Sequence, residues 1–214
     1  MNDALLLDAI HLAIGGRWLL GPLSATVQPG ECLTLMGPSG CGKSSLLAFI
    51  AGTLDPAFRA EGRVRVGMTD VTPRAPEQRR MGILFQDDLL FPHLSVAGNL
   101  AFALPASVRP QALRRARIDQ ALSDAELAGF GDRDPATLSG GQRARVALLR
   151  TLMARPQALL LDEPFSKLDA PLRGAMRRFV FDHARRSALP MLLVTHDEAD
   201  AVSAAGPVIR LAPR

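Results

Sequence analysis

The segment Gly37-Pro-Ser-Gly-Cys-Gly-Lys-Ser44 constrains this chain more than any other. An apolar run, Glu31 to Met36, precedes it, and a helix-forming stretch, Lys43 to Ala51, grows out of it. It matches G-x-x-x-x-G-K-[ST], in which glycines let backbone N–H groups curl around a phosphate while the new helix adds its positive dipole end. In such a loop Lys43 reaches the β- and γ-phosphates and the Ser44 hydroxyl binds Mg²⁺. Only Lys43 and Lys167 among the 25 basic residues are lysine. A chain so biased to arginine keeps lysine where a planar fork cannot replace a compact ammonium. Cys41 is either a variable loop position or a thiol made reactive by the helix end.

Around this loop the pattern predicts an α/β fold: a P-loop NTPase core with a mostly parallel sheet, an N-terminal antiparallel β part and an inserted α-helical subdomain. Ala4–Ala13 and Arg17–Gln28 read as strands joined by Gly15-Gly16. Glu31–Met36, Arg63–Gly67 and Met81–Phe85 read as further strands. Between Asp87 and about Arg155 strands vanish, and helices are expected over Val96–Leu104, Pro110–Leu122, Asp124–Phe130 and Gly140–Met153. Strand and helix then alternate: Ala158–Leu161, Ala170–Arg186, Met191–Thr195, Glu198–Ala204 and Val208–Leu211. The expected organisation is one domain over 1–214, its α/β core drawn from 1–86 and 156–214 and its helical subdomain from about 87–155.

Composition bounds the rest. With 214 residues, 48% of them hydrophobic, the chain can bury a sizeable core. No apolar run spans a bilayer, and Asp3 and Asp8 stand where a signal peptide would be basic, so a soluble cytosolic protein is expected. Cys32 and Cys41 suggest neither a disulfide framework nor a metal site. The net charge of +4 is carried by scattered arginines with no aromatic-interleaved stripe, so no nucleic-acid partner is expected.

Other signals gather at strand ends. Asp162-Glu163 ends the apolar strand of "QALLLDEP". Neighbouring strand residues point to opposite faces, so one carboxylate can hold Mg²⁺ while the other orients or deprotonates a water; capping of the next helix is the alternative. Gln86 follows "MGILF" and can bind Mg²⁺ and the attacking water, although any exposed glutamine would look the same. His196 follows "MLLVT", and a lone histidine is as readily structural. In parallel α/β sheets ligands bind outside the carboxyl ends of the strands, where these residues would meet Gly37–Ser44. "LSGGQ", Leu138 to Gln142, is a second phosphate-shaped turn, with Ser139 capping a helix and leaving its first amides free.

With these motifs, "SKLD" (Ser166–Asp169) and "THD" (Thr195–Asp197), the chain resembles the ATP-binding subunit of an ABC transporter along nearly its whole length. The resemblance implies that Gly37, Pro38, Ser39, Gly40, Cys41, Gly42, Lys43, Ser44, Ser45, Gln86 and Asp162 bind ATP. It implies Mg²⁺ at Ser44, Gln86 and Asp162, and catalysis by Glu163, His196 and Gln86. It further implies a head-to-tail homodimer in which Ser139, Gly140, Gly141 and Gln142 of one subunit cover the ATP of the other.

The stretch Leu84–Leu104 is similar to that of bacterial solute importers of the thiamine, sulfate, iron and polyamine type. This implies peripheral attachment to the cytoplasmic side of the inner membrane, polytopic permease partners and, indirectly, a periplasmic solute-binding protein. Phe85, Leu89, Leu90, Phe91 and Leu94 either form the socket for a permease helix or are buried in the subdomain. An export or lipoprotein-release cassette, or a cassette acting on nucleic acid or the ribosome, is the alternative. The chain ends after its last strand, so the C-terminal regulatory domain of some relatives is not expected. Such proteins stack adenine on an aromatic residue, often tyrosine. This chain has no tyrosine; Ile14 stands at the equivalent place, with Trp18 and His11 as substitutes. Lys167, where the family has a small residue, either pairs across the dimer interface or is solvated.

Overall fold

The computed structural model describes residues 3–85, 87–166 and 168–212; Gln86 and Lys167, two of the residues singled out above, lie outside them. The chain divides into two compact units, Met1–Ile83 with Gln157–Glu163 and Val180–Arg214, and Leu84–Pro156 with Pro164–Phe179.

The first unit holds two sheets. Strands β1 (Leu5–Ile14) and β2 (Arg17–Val27) form the expected hairpin, and β4 (Phe58–Val66) with β5 (Thr69–Asp70) completes an antiparallel sheet of order β2-β1-β4-β5. Gly15 and Gly16 both have positive φ, 57° and 76°, which a two-residue turn matched to strand twist requires. β4 begins at Phe58 rather than Arg63. Its first residues, Phe58 to Glu61, alternate half-buried and exposed, and Gly62 at φ 100°, beside a register shift in β1, separates them from buried Val64 and Val66.

The second sheet has the order β6-β7-β8-β3-β9, formed by β3 (Cys32–Met36), β6 (Met81–Leu84), β7 (Ala158–Asp162), β8 (Met191–Val194) and β9 (Val208–Arg210). The pairs β7–β8, β8–β3 and β3–β9 are parallel. β3 and β8 are buried at every position, as strands covered on both faces must be, which is why they read as apolar runs without alternation. Helix α1 (Lys43–Ala51) buries Leu46, Leu47, Phe49 and Ile50 in the same core as Leu33, Leu35, Leu160 and Leu192. Beyond its first turn, Lys43-Ser44-Ser45, the helix is apolar, as an interior helix is.

The far end of α1 is closed by a buried cation. Arg79, the last residue of α2 (Pro76–Arg79), is 6% exposed and donates to the carbonyls of Phe49 (2.7 Å) and Ile50 (3.0 Å). Its other nitrogens donate to the carbonyls of Thr72 and Arg74. It thus adds a second donor to the Phe49 carbonyl, which already accepts from Gly52 N–H at 3.1 Å, gives the Ile50 carbonyl a charged partner, and places positive charge at the negative end of the helix dipole.

The second unit contains α3 (Val96–Ala103), α4 (Gln111–Asp124), a 3₁₀ turn (Pro135–Thr137), α5 (Gly140–Met153) and the part of α6 (Ala170–Arg186) up to Phe179. Val96, Leu100, Ile118, Leu122, Leu127, Val146 and Leu149 form its core. The helix expected over Asp124–Phe130 does not form. α4 runs to Asp124, and the chain then turns, with Glu126 at φ 58° and Gly129 at φ 78°. Left-handed residues end a right-handed helix, and buried Leu127 plugs the core from the turn instead.

Replacing Arg79 with Met keeps the apolar stem and removes every donor. We expect a loss of about 3 kcal/mol, the cost of stranding several buried carbonyls, read as a lower urea midpoint with an unchanged m-value. A midpoint equal to the parent's would contradict the capping role.

Candidate functional site

The strand-to-helix joint builds the site. β3 ends at Met36, and α1 begins at Lys43 with Gly42 as N-cap at φ 91°. A Cβ on Gly42 would lie 3.0 Å from Leu19 Cγ, so a side chain there would crowd the hairpin as well as strain the backbone. Lys43 is 8% exposed, and its Nζ donates to the carbonyls of Gly37 (2.7 Å) and Pro38 (2.8 Å). Cys41 is buried, with Sγ 3.8 Å from Lys43 Nζ.

A cleft of about 440 Å³ opens beside this loop. Ser39, Gly40, Gly42, Lys43, Ser44 and Ser45 line it, together with Asp162 and Glu163 from the end of β7. Ile14 and Leu19 of the first hairpin complete the wall. Ile14, the predicted counterpart of the base-stacking residue, therefore faces the cleft. Trp18 and His11 are not among its lining residues; their rings meet edge to face at 5.3 Å. Leu19 was missed in the sequence because nothing in the strand pattern marks it.

The two acidic residues are held differently. Burial raises the Asp162 pKa; a hydrogen bond with the Ser44 side chain opposes this, the Glu163 charge adds to it, and the Lys43 charge opposes it. Glu163 turns away at φ 47°, a left-handed conformation uncommon for a residue with a side chain, and its N–H donates to the Val194 carbonyl at 2.9 Å. Its Oε1 lies 3.0 Å from His196 Nδ1. His196 follows β8, next to β7 in the sheet, so the register of two parallel strands makes this pair. The imidazole is largely exposed, at 69% for the side chain, and Glu163 is less so at 27%.

Among the described residues no group of three His, Cys, Asp or Glu could cage a metal. Ser44 and Asp162 instead offer two adjacent hard oxygen ligands. That set fits Mg²⁺, which keeps several waters and takes substrate phosphate oxygens rather than an all-protein cage. Gln86, the third predicted ligand, lies outside the described residues.

The second unit presents the other turn. Ser139 caps α5: its Oγ accepts from Gln142 N–H at 3.2 Å, and its own N–H donates to Gln142 Oε1 at 2.9 Å. The reciprocal bonds form a capping box, legible in S-x-x-Q. Gly141 packs where a Cβ would lie 2.9 Å from Leu172 Cδ2, while Gly140 has nothing nearer than 3.9 Å. The apolar cluster Phe85, Leu89, Leu90, Phe91 and Leu94 divides. Phe85 and Leu89 are exposed, at 45% and 59%, while Leu90 packs against the helical core. Leu94 is half-buried, and Phe91 stacks edge to face on Phe102 at 4.8 Å. Phe102 is 70% exposed and was not singled out in the sequence.

Fold and cleft together define a P-loop nucleotide-binding domain. Residues 20–166 match the family described as ABC transporter, and the chain belongs to that family as an ATP-binding domain. It is 50% identical over 193 residues to YnjD of Escherichia coli K12, an uncharacterized ABC transporter ATP-binding protein, covering 89% of this chain and 88% of that one. It is 42% identical to PhnT of Salmonella typhimurium, a putative 2-aminoethylphosphonate import ATP-binding protein, over 95% of this chain and 55% of the relative. It is 39% identical to FbpC of Vibrio cholerae, an Fe(3+) ions import ATP-binding protein, over 97% and 58%. The chain thus spans most of YnjD and little more than half of the other two. The ATP-binding cassette MJ0796, in a dimeric post-hydrolysis state bound to ADP and Pi, superposes with TM-score 0.83 at 26% identity, over 98% of this chain and 96% of that one.

The raised pKa of Asp162 has a measurable consequence. The folded state holds this proton to a higher pH than the unfolded state, so stability falls as pH rises through the folded pKa. Asp162→Asn is therefore expected to unfold at a higher temperature than the parent at pH 7. The gap should close once pH drops below the ordinary aspartate range. A gap that widens on acidification would contradict burial as the dominant cause.

Proposed function

We propose that this chain is the ATP-hydrolysing subunit of a solute importer. Two copies close head to tail on two ATP molecules at the cytoplasmic face of the inner membrane. Closure drives polytopic permease subunits, which receive solute from a periplasmic binding protein, and hydrolysis reopens the pair. The observation that carries this reading is the meeting, in one cleft, of Lys43, the Asp162–Ser44 pair and Glu163, whose Oε1 lies 3.0 Å from His196 Nδ1.

The residues divide the work. Loop amides from Gly37 to Ser45 and the Lys43 ammonium bind the phosphates, and Ile14 with Leu19 covers the base. Ser44, Asp162 and Gln86 would hold Mg²⁺, which when bound would offset charge developing on the phosphate oxygens. Glu163 accepts the proton of, or orients, the attacking water, and His196 Nδ1 fixes the Glu163 carboxyl group. Gln86 shares in placing that water. Ser139, Gly140, Gly141 and Gln142 act on the ATP of the partner: their capped turn leaves helix amides for a γ-phosphate.

Import rather than export is supported by relatives named as import ATP-binding proteins for 2-aminoethylphosphonate and Fe(3+) ions. The dimer is supported by the likeness to a dimeric cassette. Peripheral attachment agrees with the finding that, among the described residues, no helix is long and apolar enough to cross a membrane. Exposed Phe85, Leu89 and Phe102 suit contact with a permease helix.

Lys43→Ala should abolish ATP turnover. Glu163→Gln should lower it at least about a hundredfold while sparing binding, as loss of a general base does. The glutamine variant should dimerise with ATP and Mg²⁺, and the parent should co-purify with a polytopic membrane protein. Normal turnover by Glu163→Gln would contradict the base assignment, and co-purification in nuclease-sensitive complexes would contradict transport.

A further inference from the structure

His196 presents a mechanical problem. Its ring is largely exposed and meets Glu163 through one 3.0 Å contact, so no surrounding wall aims it. Its direction has to come from its backbone. The residues on either side are held by a buried hydrogen-bond relay that the hydrolytic reading does not use.

Thr195 is 2% exposed, and its N–H donates to the Leu35 carbonyl of β3 at 3.2 Å. Its hydroxyl accepts from Asp197 N–H at 3.1 Å and donates to Asp200 Oδ2 at 2.6 Å. Asp200, 3% exposed, lies in α7 (Glu198–Ala204), and its N–H donates to the Asp197 carbonyl at 3.1 Å. The Asp197 side chain accepts from Ala199 N–H at 2.8 Å, capping the same helix. The turn carrying His196 is thus clamped to β3 before the histidine and to α7 after it, with one hydroxyl joining the two. A carboxyl group this buried is costly unless it has work to do, and here it fixes which way the Thr195 hydroxyl points.

We infer that Asp200 and Thr195 are positioning residues for His196, setting the turn from which the imidazole reaches Glu163. The inference rests on the proposed role of His196 in hydrolysis. It concerns turnover and not nucleotide binding, because neither residue lines the cleft.

Thr195→Val removes the hydroxyl at nearly constant volume, and Asp200→Ala removes the acceptor. Each should lower kcat for MgATP about tenfold, the low end of what outer-shell partners of working groups contribute. ATP affinity, measured by fluorescent-nucleotide titration, should stay within about twofold, and Thr195→Ser should restore turnover. In a His196→Ala background, Thr195→Val should change the residual rate by less than about twofold, since residues acting as one unit are not additive. A clamp that matters only for folding would multiply with the histidine loss, and that result would overturn the inference. So would Thr195→Val turning over like the parent while His196→Ala is slow. An unchanged rate for His196→Ala alone would instead remove the role of His196 itself, and the positioning role with it. Should Asp200→Ala fail to fold, the Thr195 series carries the test.

Discussion

Everything in the site hangs from the turn between β3 and α1. That turn sets a buried ammonium against the carbonyls of Gly37 and Pro38. The position of Lys43 is fixed at one end by a strand buried at every position and at the other by a helix that is apolar from Leu46 onward. Arg79 closes the far end of that helix, so a cation secures each end of α1: Lys43 beside the loop and Arg79 on the last carbonyls. Both residues are largely buried, and each charge is held by backbone oxygens. That arrangement suits a loop that must stay rigid while its anionic contents change.

The acidic side of the cleft is built on the opposite principle. Asp162 and Glu163 are neighbours in sequence, yet they are supported from different directions. Asp162 ends β7 in regular strand register and is tied to Ser44; Glu163 steps into a left-handed conformation and meets His196. Burial, like charge and a strained backbone all work against this corner of the fold. Such a corner persists because the parallel core around it, Leu160, Leu192 and Leu33 among others, holds it in place. The same core brings His196 beside Glu163, but the direction of its ring depends on the polar clamp of Thr195 and Asp200.

What could be read in the sequence was whatever is contiguous. Buried parallel strands appear as apolar runs, and the residues that end them fall on one edge by topology alone, so Lys43, Asp162, Glu163 and His196 could be assembled before any coordinate. The Ser139 cap was equally legible, being a local pattern. What stayed hidden depends on the sign of φ or on contacts between distant side chains. The left-handed Glu126 turned an expected helix into a turn, and Gly62 with its polar neighbours concealed the first half of β4. Arg79 and Asp200 look like any surface charge in a linear string, since no period marks a side chain that folds back on carbonyls thirty residues away or on a hydroxyl one turn earlier.

The central claim is that the phosphate loop of one copy is sealed by the capped turn of another, and chemical cross-linking tests it directly. One batch carries Ser39→Cys and the other Ser139→Cys, both positions exposed, while the native thiols Cys32 and Cys41 are buried. Both batches also carry Glu163→Gln to slow hydrolysis. After mixing with a short bifunctional maleimide, an interchain product should form with ATP and Mg²⁺ and be absent without nucleotide. No interchain product with ATP, or the same yield in its absence, would contradict the account.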